Sequence, residues 1–320
     1  MTRYFSEREV QSLLTMTEAI EAVEWVMGQH AVGEAVDLPR QRVRFPGSIT
    51  HLLQGAVPAL DLTGFKVYTS TREGTRFWVH LYRISTGEPV AVLAADWLGM
   101  MRTGAAGGVA IRYLAPPDTA LLTLFGAGWQ AEGQVRAAVA VHRWQEIRVI
   151  ARRAERAADF CSRLGAELGV AMRPVALSDA AQALADSHVI VTATTSATPL
   201  FAAEWLPSAR CHINAIGSNS LARQELPEKV VVRADRIVVD SREVALREAG
   251  DLLPALEKGR TRPGLWSELG EVIRGIRPGR SHPEAITLFE SQGMAIQDIA
   301  VAARVLANAE PKGLGVPLPY

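Results

Sequence analysis

The chain has 320 residues, longer than a single hydrophobic core usually grows, so two lobes are expected. Lys and Arg number 34 and Asp and Glu number 34; this balance excludes the electrostatic footprint of a nucleic-acid or anionic-membrane binder and leaves a small molecule as the expected partner. Cys161 and Cys211 are the only cysteines, without CxxC spacing or the spaced Cys and His ligands of a zinc site, which points to structural thiols, no metal centre and a reducing cytoplasm. The stretch from Met1 to Glu9 is charged and lacks the apolar core of a secretory signal. No apolar run approaches the ~20 residues that span a bilayer, so a soluble cytoplasmic protein is expected.

In chain order, Ser6-Glu7-Arg8-Glu9 and Thr15-Met16-Thr17-Glu18 each place a carboxylate three residues after a hydroxyl, the capping-box signature of a helix start. The second helix sets Ile20, Val23, Val26 and Met27 on one face, with Gly33 as its stop. From Pro39 to Val92 short alternating runs, such as Arg42-Val43-Arg44-Phe45 and Phe77-Trp78-Val79-His80-Leu81-Tyr82, predict strands and turns. Helical character returns from Asp96 to Leu114, and Pro116-Pro117 ends it and marks a domain boundary. A strand is expected at Ala120 to Phe125, a helix at Gln130 to His142, a strand at Ile147 to Ala151 and a helix at Ala154 to Leu168. Further strands are expected at Met172 to Val175, His188 to Ala193, Cys211 to Ala215 and Arg236 to Val239. This alternation predicts an α/β domain with a parallel sheet covered on both faces. Met294 to Ala309 reads as a closing amphipathic helix.

The most informative segment is Gly126-Ala127-Gly128-Trp129-Gln130-Ala131. It follows the apolar strand Leu121-Leu122-Thr123-Leu124-Phe125 and opens a helix inside a βαβ unit, the context in which a glycine pattern marks a Rossmann dinucleotide site. Gly126 permits the tight turn, Gly128 lets the backbone approach a pyrophosphate, and Ala131 allows close helix packing. Trp129 and Gln130 belong to the same loop and are expected at the cofactor. NAD-preferring sites carry an acid at the end of the second strand; here Val149-Ile150-Ala151 is followed by Arg152-Arg153, two guanidiniums suited to a 2′-phosphate. NADP(H) is therefore the expected cofactor, with NAD(H) the second choice.

With Lys66, Arg102-Thr103-Gly104-Ala105-Ala106, the 126–131 loop, Asn214-Ala215-Ile216-Gly217, Gly270-Glu271-Val272-Ile273 and Phe289-Glu290-Ser291-Gln292-Gly293-Met294-Ala295 in this order, the chain resembles the ornithine cyclodeaminase/mu-crystallin family nearly end to end. The resemblance implies a homodimer. It also implies a substrate-binding and dimerisation α+β domain over residues 1–115, a Rossmann domain over 116–290, and a C-terminal helix in 291–320 that returns to the first. It further implies chemistry on an amine or imine beside a carboxylate, with Lys66, Arg42 and Arg102 around the substrate and Thr103, Thr194 and Ser291 on the cofactor side. These residue types suit the task. An arginine fork grips a planar carboxylate and fixes the reacting carbon, and a desolvated lysine near guanidiniums has a lowered pKa suited to proton transfer.

In the cyclodeaminase branch an aspartate lies two residues beyond the glycine of the Asn-Ala-hydrophobic-Gly motif; here that position is Asn219, an amide that can hydrogen-bond a substrate nitrogen but is no general base at neutral pH. The carboxylate that branch carries before a Met-Pro pair is also missing from Leu53-Gln54-Gly55-Ala56-Val57-Pro58. The expectation is thus a reductase of small 2-imino acids, or an amino-acid dehydrogenase that reductively aminates 2-oxo acids. A cyclodeaminase that converts a diamino acid such as ornithine to a cyclic imino acid, and a non-catalytic NADP-dependent ligand-binding protein, are the rival readings.

Overall fold

A computed structural model describes residues 2–319. The chain forms two compact units, Met1–Ala105 with Gly293–Tyr320 and Ala106–Gln292. No helix among the described residues is long and apolar enough to cross a membrane.

The first unit opens with β1 (Arg3–Phe5), α1 (Glu7–Leu13) and α2 (Met16–Ala31). Both helices carry complete capping boxes: Ser6 with Glu9, and Thr15 with Glu18. Each box satisfies backbone donors that a helix start leaves open. Strands β2 (Val36–Phe45), β3 (Ser48–Val57), β4 (Leu62–Thr71), β5 (Gly74–Arg83) and β6 (Pro89–Ala94) follow. They pair antiparallel in sequence order, and β1 adds in parallel beside β6, with a short strand Val316–Pro317 at the far edge. Alternation along the strands separates two faces. Leu53, Leu62, Val79, Leu81 and Leu93 are buried on one, which packs against the C-terminal helix Ala295–Ala309. The other face exposes Val36, Leu38, Val43 and Phe45. Helix α3 (Asp96–Leu114) starts in this unit, and the division between units falls within it.

The second unit is an eight-stranded, wholly parallel sheet. Its strands are β7 (Leu121–Phe125), β8 (Glu146–Ile150), β9 (Met172–Val175), β10 (Val189–Thr192), β11 (Cys211–Ala215), β12 (Arg236–Val239), β13 (Ser267–Glu268) and β14 (Ile286–Glu290). The order β13-β12-β14-β11-β10-β7-β8-β9 reverses direction between β7 and β10, the topological switch point of a doubly wound sheet. Helix α4 (Trp129–Val141) follows β7, and α5 (Ala154–Leu168) follows β8. Strand β14 has no counterpart in the sequence reading. Its five residues are all buried, and it inserts between β11 and β12, out of chain order. Cys161 and Cys211 are buried free thiols, and burial pushes them up to about 11 and about 12, respectively, which suits an inert structural role.

Candidate functional site

In the second unit the candidate phosphate loop is built from backbone. Gly126 turns the chain out of β7 at φ 117°, and a Cβ there would lie 2.5 Å from the Ala193 carbonyl oxygen beyond β10. Only glycine meets both demands. Gly128 is the N-cap of α4 and supplies no side-chain cap, and a Cβ on it would meet nothing within 4 Å. The helix therefore presents uncapped amides and the positive end of its dipole to open space, an arrangement that fits a pyrophosphate. Ala131 is fully buried, Trp129 stands exposed beside the turn, and the Gln130 Oε1 is buried without a partner among the described residues. Past β8, Arg152 and Arg153 are exposed, and no hydrogen bond or ion pair among the described residues engages either guanidinium.

Two of the expected cofactor-side hydroxyls, those of Thr194 and Ser291, donate to protein carboxylates. The Thr194 backbone N–H and hydroxyl both donate to Glu225 Oε1 at 2.6 Å, and the Gly217 N–H donates to Glu225 Oε2 at 2.7 Å. Glu225 thereby ties the ends of β10 and β11 together; burial pushes its carboxyl up despite these donors. The Ser291 hydroxyl donates to Asp240 Oδ2 at 2.9 Å. Arg223 Nη1 donates to Asn219 Oδ1 at 3.2 Å.

In the first unit a cationic cluster closes around one carboxylate. Lys66, in the middle of β4 opposite Leu53 and Val79, is 3% exposed. Its Nζ donates to Asp298 Oδ1 at 3.0 Å, and Arg102 Nε donates to the same oxygen at 3.1 Å. Arg102 Nη1 donates to Gln297 Oε1 at 3.0 Å. Asp298 is the sole acceptor for Lys66 among the described residues, and Arg102 Nη2 has none. Both cations thus keep donors in hand. Glycine makes the room: a Cβ at Gly99 would lie 2.7 Å from Lys66 Nζ, and one at Gly293 would collide with the Arg102 guanidinium.

Burial pushes the Lys66 ammonium down to about 8; Asp298 opposes that fall, while the charges of Arg102 and Arg40 deepen it. Arg40 reaches the cluster because the register of β2 shifts between Leu38 and Gln41, a bulge that turns its side chain to the buried face. Arg42 pairs with His51 one row further along the same face. In that row His51 stacks on Tyr68 with ring centroids 4.2 Å apart, and Tyr68 lies 4.9 Å from Phe77. The Phe77 ring is 5.3 Å from Lys66 Nζ. Thr103 turns its hydroxyl back to the Gly99 carbonyl at 2.7 Å. The structure thus brings Lys66 and Arg102 together and sets Arg42 one row away.

Sequence reasoning missed Asp298, Arg40 and Gly99. A signal for Asp298 exists, since Gln297-Asp298 interrupts an otherwise apolar helix face, and a charged residue on such a face is rarely buried without a partner. The signal at Arg40 is the preceding Pro39, because a proline inside a strand is confined to edges and bulges, and β2 is an edge strand whose register shifts there.

Comparison with known proteins agrees with this architecture. The chain is 31% identical to the Delta(1)-pyrroline-2-carboxylate reductase of Bacillus thuringiensis subsp. konkukian over 97% of both chains. The structure of Thermococcus litoralis Delta(1)-pyrroline-2-carboxylate reductase in complex with NADH and L-proline superposes with a TM-score of 0.93 at 28% identity, covering 99% of this chain and 100% of that one. An archaeal alanine dehydrogenase dimer with bound NAD gives the same score at 32% identity, covering 100% and 99%. A sequence model of one family matches residues 2–313, nearly the whole length, and the chain belongs to that family, the ornithine cyclodeaminase/mu-crystallin family.

Proposed function

We propose that this protein is a nicotinamide-dependent oxidoreductase that reduces a small 2-imino acid to the amino acid, the imine arriving preformed or arising from a 2-oxo acid and ammonia. The observation that carries this reading is the Lys66–Asp298–Arg102 cluster: a buried ammonium of pKa about 8 with spare N–H groups, beside a guanidinium whose Nη2 is unspent. Arg102, with Arg42, grips the substrate carboxylate and orients the imine carbon. The 126–131 loop would hold a reduced nicotinamide dinucleotide, which would supply the hydride to this carbon. Lys66 donates a proton to the substrate nitrogen; in the oxidative direction neutral Lys66 takes it back. In this assignment the first unit serves the substrate and the second the dinucleotide.

Asn219 supports reduction over cyclodeamination, because an amide held by Arg223 offers no general base to a departing nitrogen. Both solved relatives hold NAD or NADH. Here, however, two unpartnered guanidiniums follow β8 and no carboxylate stands there, so NADPH is the proposed preference and NADH the second cofactor. The apolar outer sheet face with Phe45 67% and Val43 56% exposed is proposed to be covered by a second copy, in line with the archaeal dimer; Phe45→Glu then yields monomers on sedimentation. Two buried free thiols suit a reducing cytoplasm.

The test is a panel of cyclic and acyclic 2-imino acids and 2-oxo acids, with and without ammonium, against both reduced nicotinamides. Net loss of nicotinamide absorbance supports the reductase. Steady absorbance with ammonia release from a diamino acid establishes the lyase instead.

A further inference from the structure

Asp298 is fully buried in the first turn of the C-terminal helix, where the helix dipole favours an anion. One of its oxygens takes both Lys66 and Arg102, and the other, Oδ2, has no partner among the described residues. The charged groups that face Lys66 are Arg40 from β2, Arg102 from α3 and Asp298 from the C-terminal helix; β3 and β5 contribute Leu53, Val79 and the Phe77 ring. Two of the three charges repel the ammonium. In a dry site with like charges nearby, an amine without an anion sheds its proton, so one carboxylate decides whether an acid is present at all.

We propose that Asp298 is a positioning residue for the proton transfer: it holds the Lys66 ammonium charged and aimed, and with the same oxygen braces the Arg102 fork that receives the substrate carboxylate. The proposal rests on the reading of Lys66 as proton donor, and its consequences separate from that reading. Removing the charge but not the shape of Asp298 must make Lys66 a weaker base. Removing the repelling Arg40 must do the reverse. A purely structural Asp298 would lower activity at every pH without moving either.

Lys66, Lys229, Lys258 and Lys312 are the only lysines, so protein labelled with carbon-13 lysine reports each ammonium as a resolved NMR titration, without any substrate. In Asp298→Asn the Lys66 resonance should titrate about one to three pH units lower than in the wild type; in Arg40→Met it should titrate higher. Asp298→Glu should restore most of the wild-type midpoint. For imine reduction, followed with 1-pyrroline-2-carboxylate and NADPH, the alkaline limb of kcat should move with the resonance, while the substrate KM of Asp298→Asn rises and nucleotide binding is unchanged. A Lys66 midpoint unmoved in folded Asp298→Asn overturns the proposal; if that variant does not fold, an unmoved midpoint in Arg40→Met does. A resonance that moves while the kinetic limb stays would spare the control by Asp298 and sink the assignment of Lys66 as the acid.

Discussion

The two functional regions are made in opposite ways. The candidate phosphate loop of the second unit is six consecutive residues that offer backbone amides, a left-handed turn at Gly126 and the start of α4. The cationic cluster of the first unit draws side chains from β2, β4, α3 and the C-terminal helix, and its central contact joins Lys66 to Asp298 across 232 positions. A local motif survives most changes elsewhere, because its geometry is set by neighbours in sequence. A long-range cluster depends on every element that delivers a member.

Lys66→Met breaks this comparison most severely. It should lower kcat by about 10²–10⁴-fold, the usual contribution of a positioned acid, while leaving nucleotide affinity by fluorescence titration as in the wild type. A variant that keeps its activity would leave the first unit without its proposed acid. Gly99→Ala comes next. Its methyl group displaces only the tip of a flexible side chain, so the melting temperature should hold while kcat falls by about 100-fold, as expected for misplacement on the order of an ångström. In the other region Gly126→Ala should cost about 1–3 kcal/mol for a side chain at strained positive φ, read as a lower melting temperature together with weaker nucleotide binding. The smallest change is Arg152→Asp, which should swing the NADPH-to-NADH ratio of kcat/KM by about tenfold through loss of one charged hydrogen bond. An unaltered ratio would remove Arg152 from the 2′-phosphate contact.

The pH dependence sharpens the same contrast. With the Lys66 pKa at about 8, reduction needs the protonated amine and should decline as pH rises through about 8; oxidation of the amino acid needs the neutral amine and should rise over the same range. Nucleotide binding, assigned in the proposed reading to backbone amides and guanidiniums, should stay flat there. Initial rates in both directions alongside binding titrations check all three.

Most of the fold was legible because its signals are local. The capping boxes at Ser6 and Thr15 and the apolar strand running into Gly126 state their conformations within a few residues. Strand β14 escaped because Ile286–Glu290 is short, without alternation, and takes its place from pairing with strands far away in the chain. Thr194 and Ser291 illustrate another limit. The family resemblance places them on the cofactor side, but their donation to Glu225 and Asp240 was not legible, because hydrogen-bond partners distant in sequence carry no periodic signature.

By itself the sequence determined the glycine turn that runs from β7 into α4 and the family, because each is carried by consecutive residues or by motifs in a fixed order. Only the tertiary structure decided that Asp298 binds both cations, that a bulge turns Arg40 towards Lys66, and that Gly99 leaves space for the ammonium. Those facts depend on which buried faces meet. The cost of burying charge makes each partner necessary, but no spacing along the chain records which partner it is.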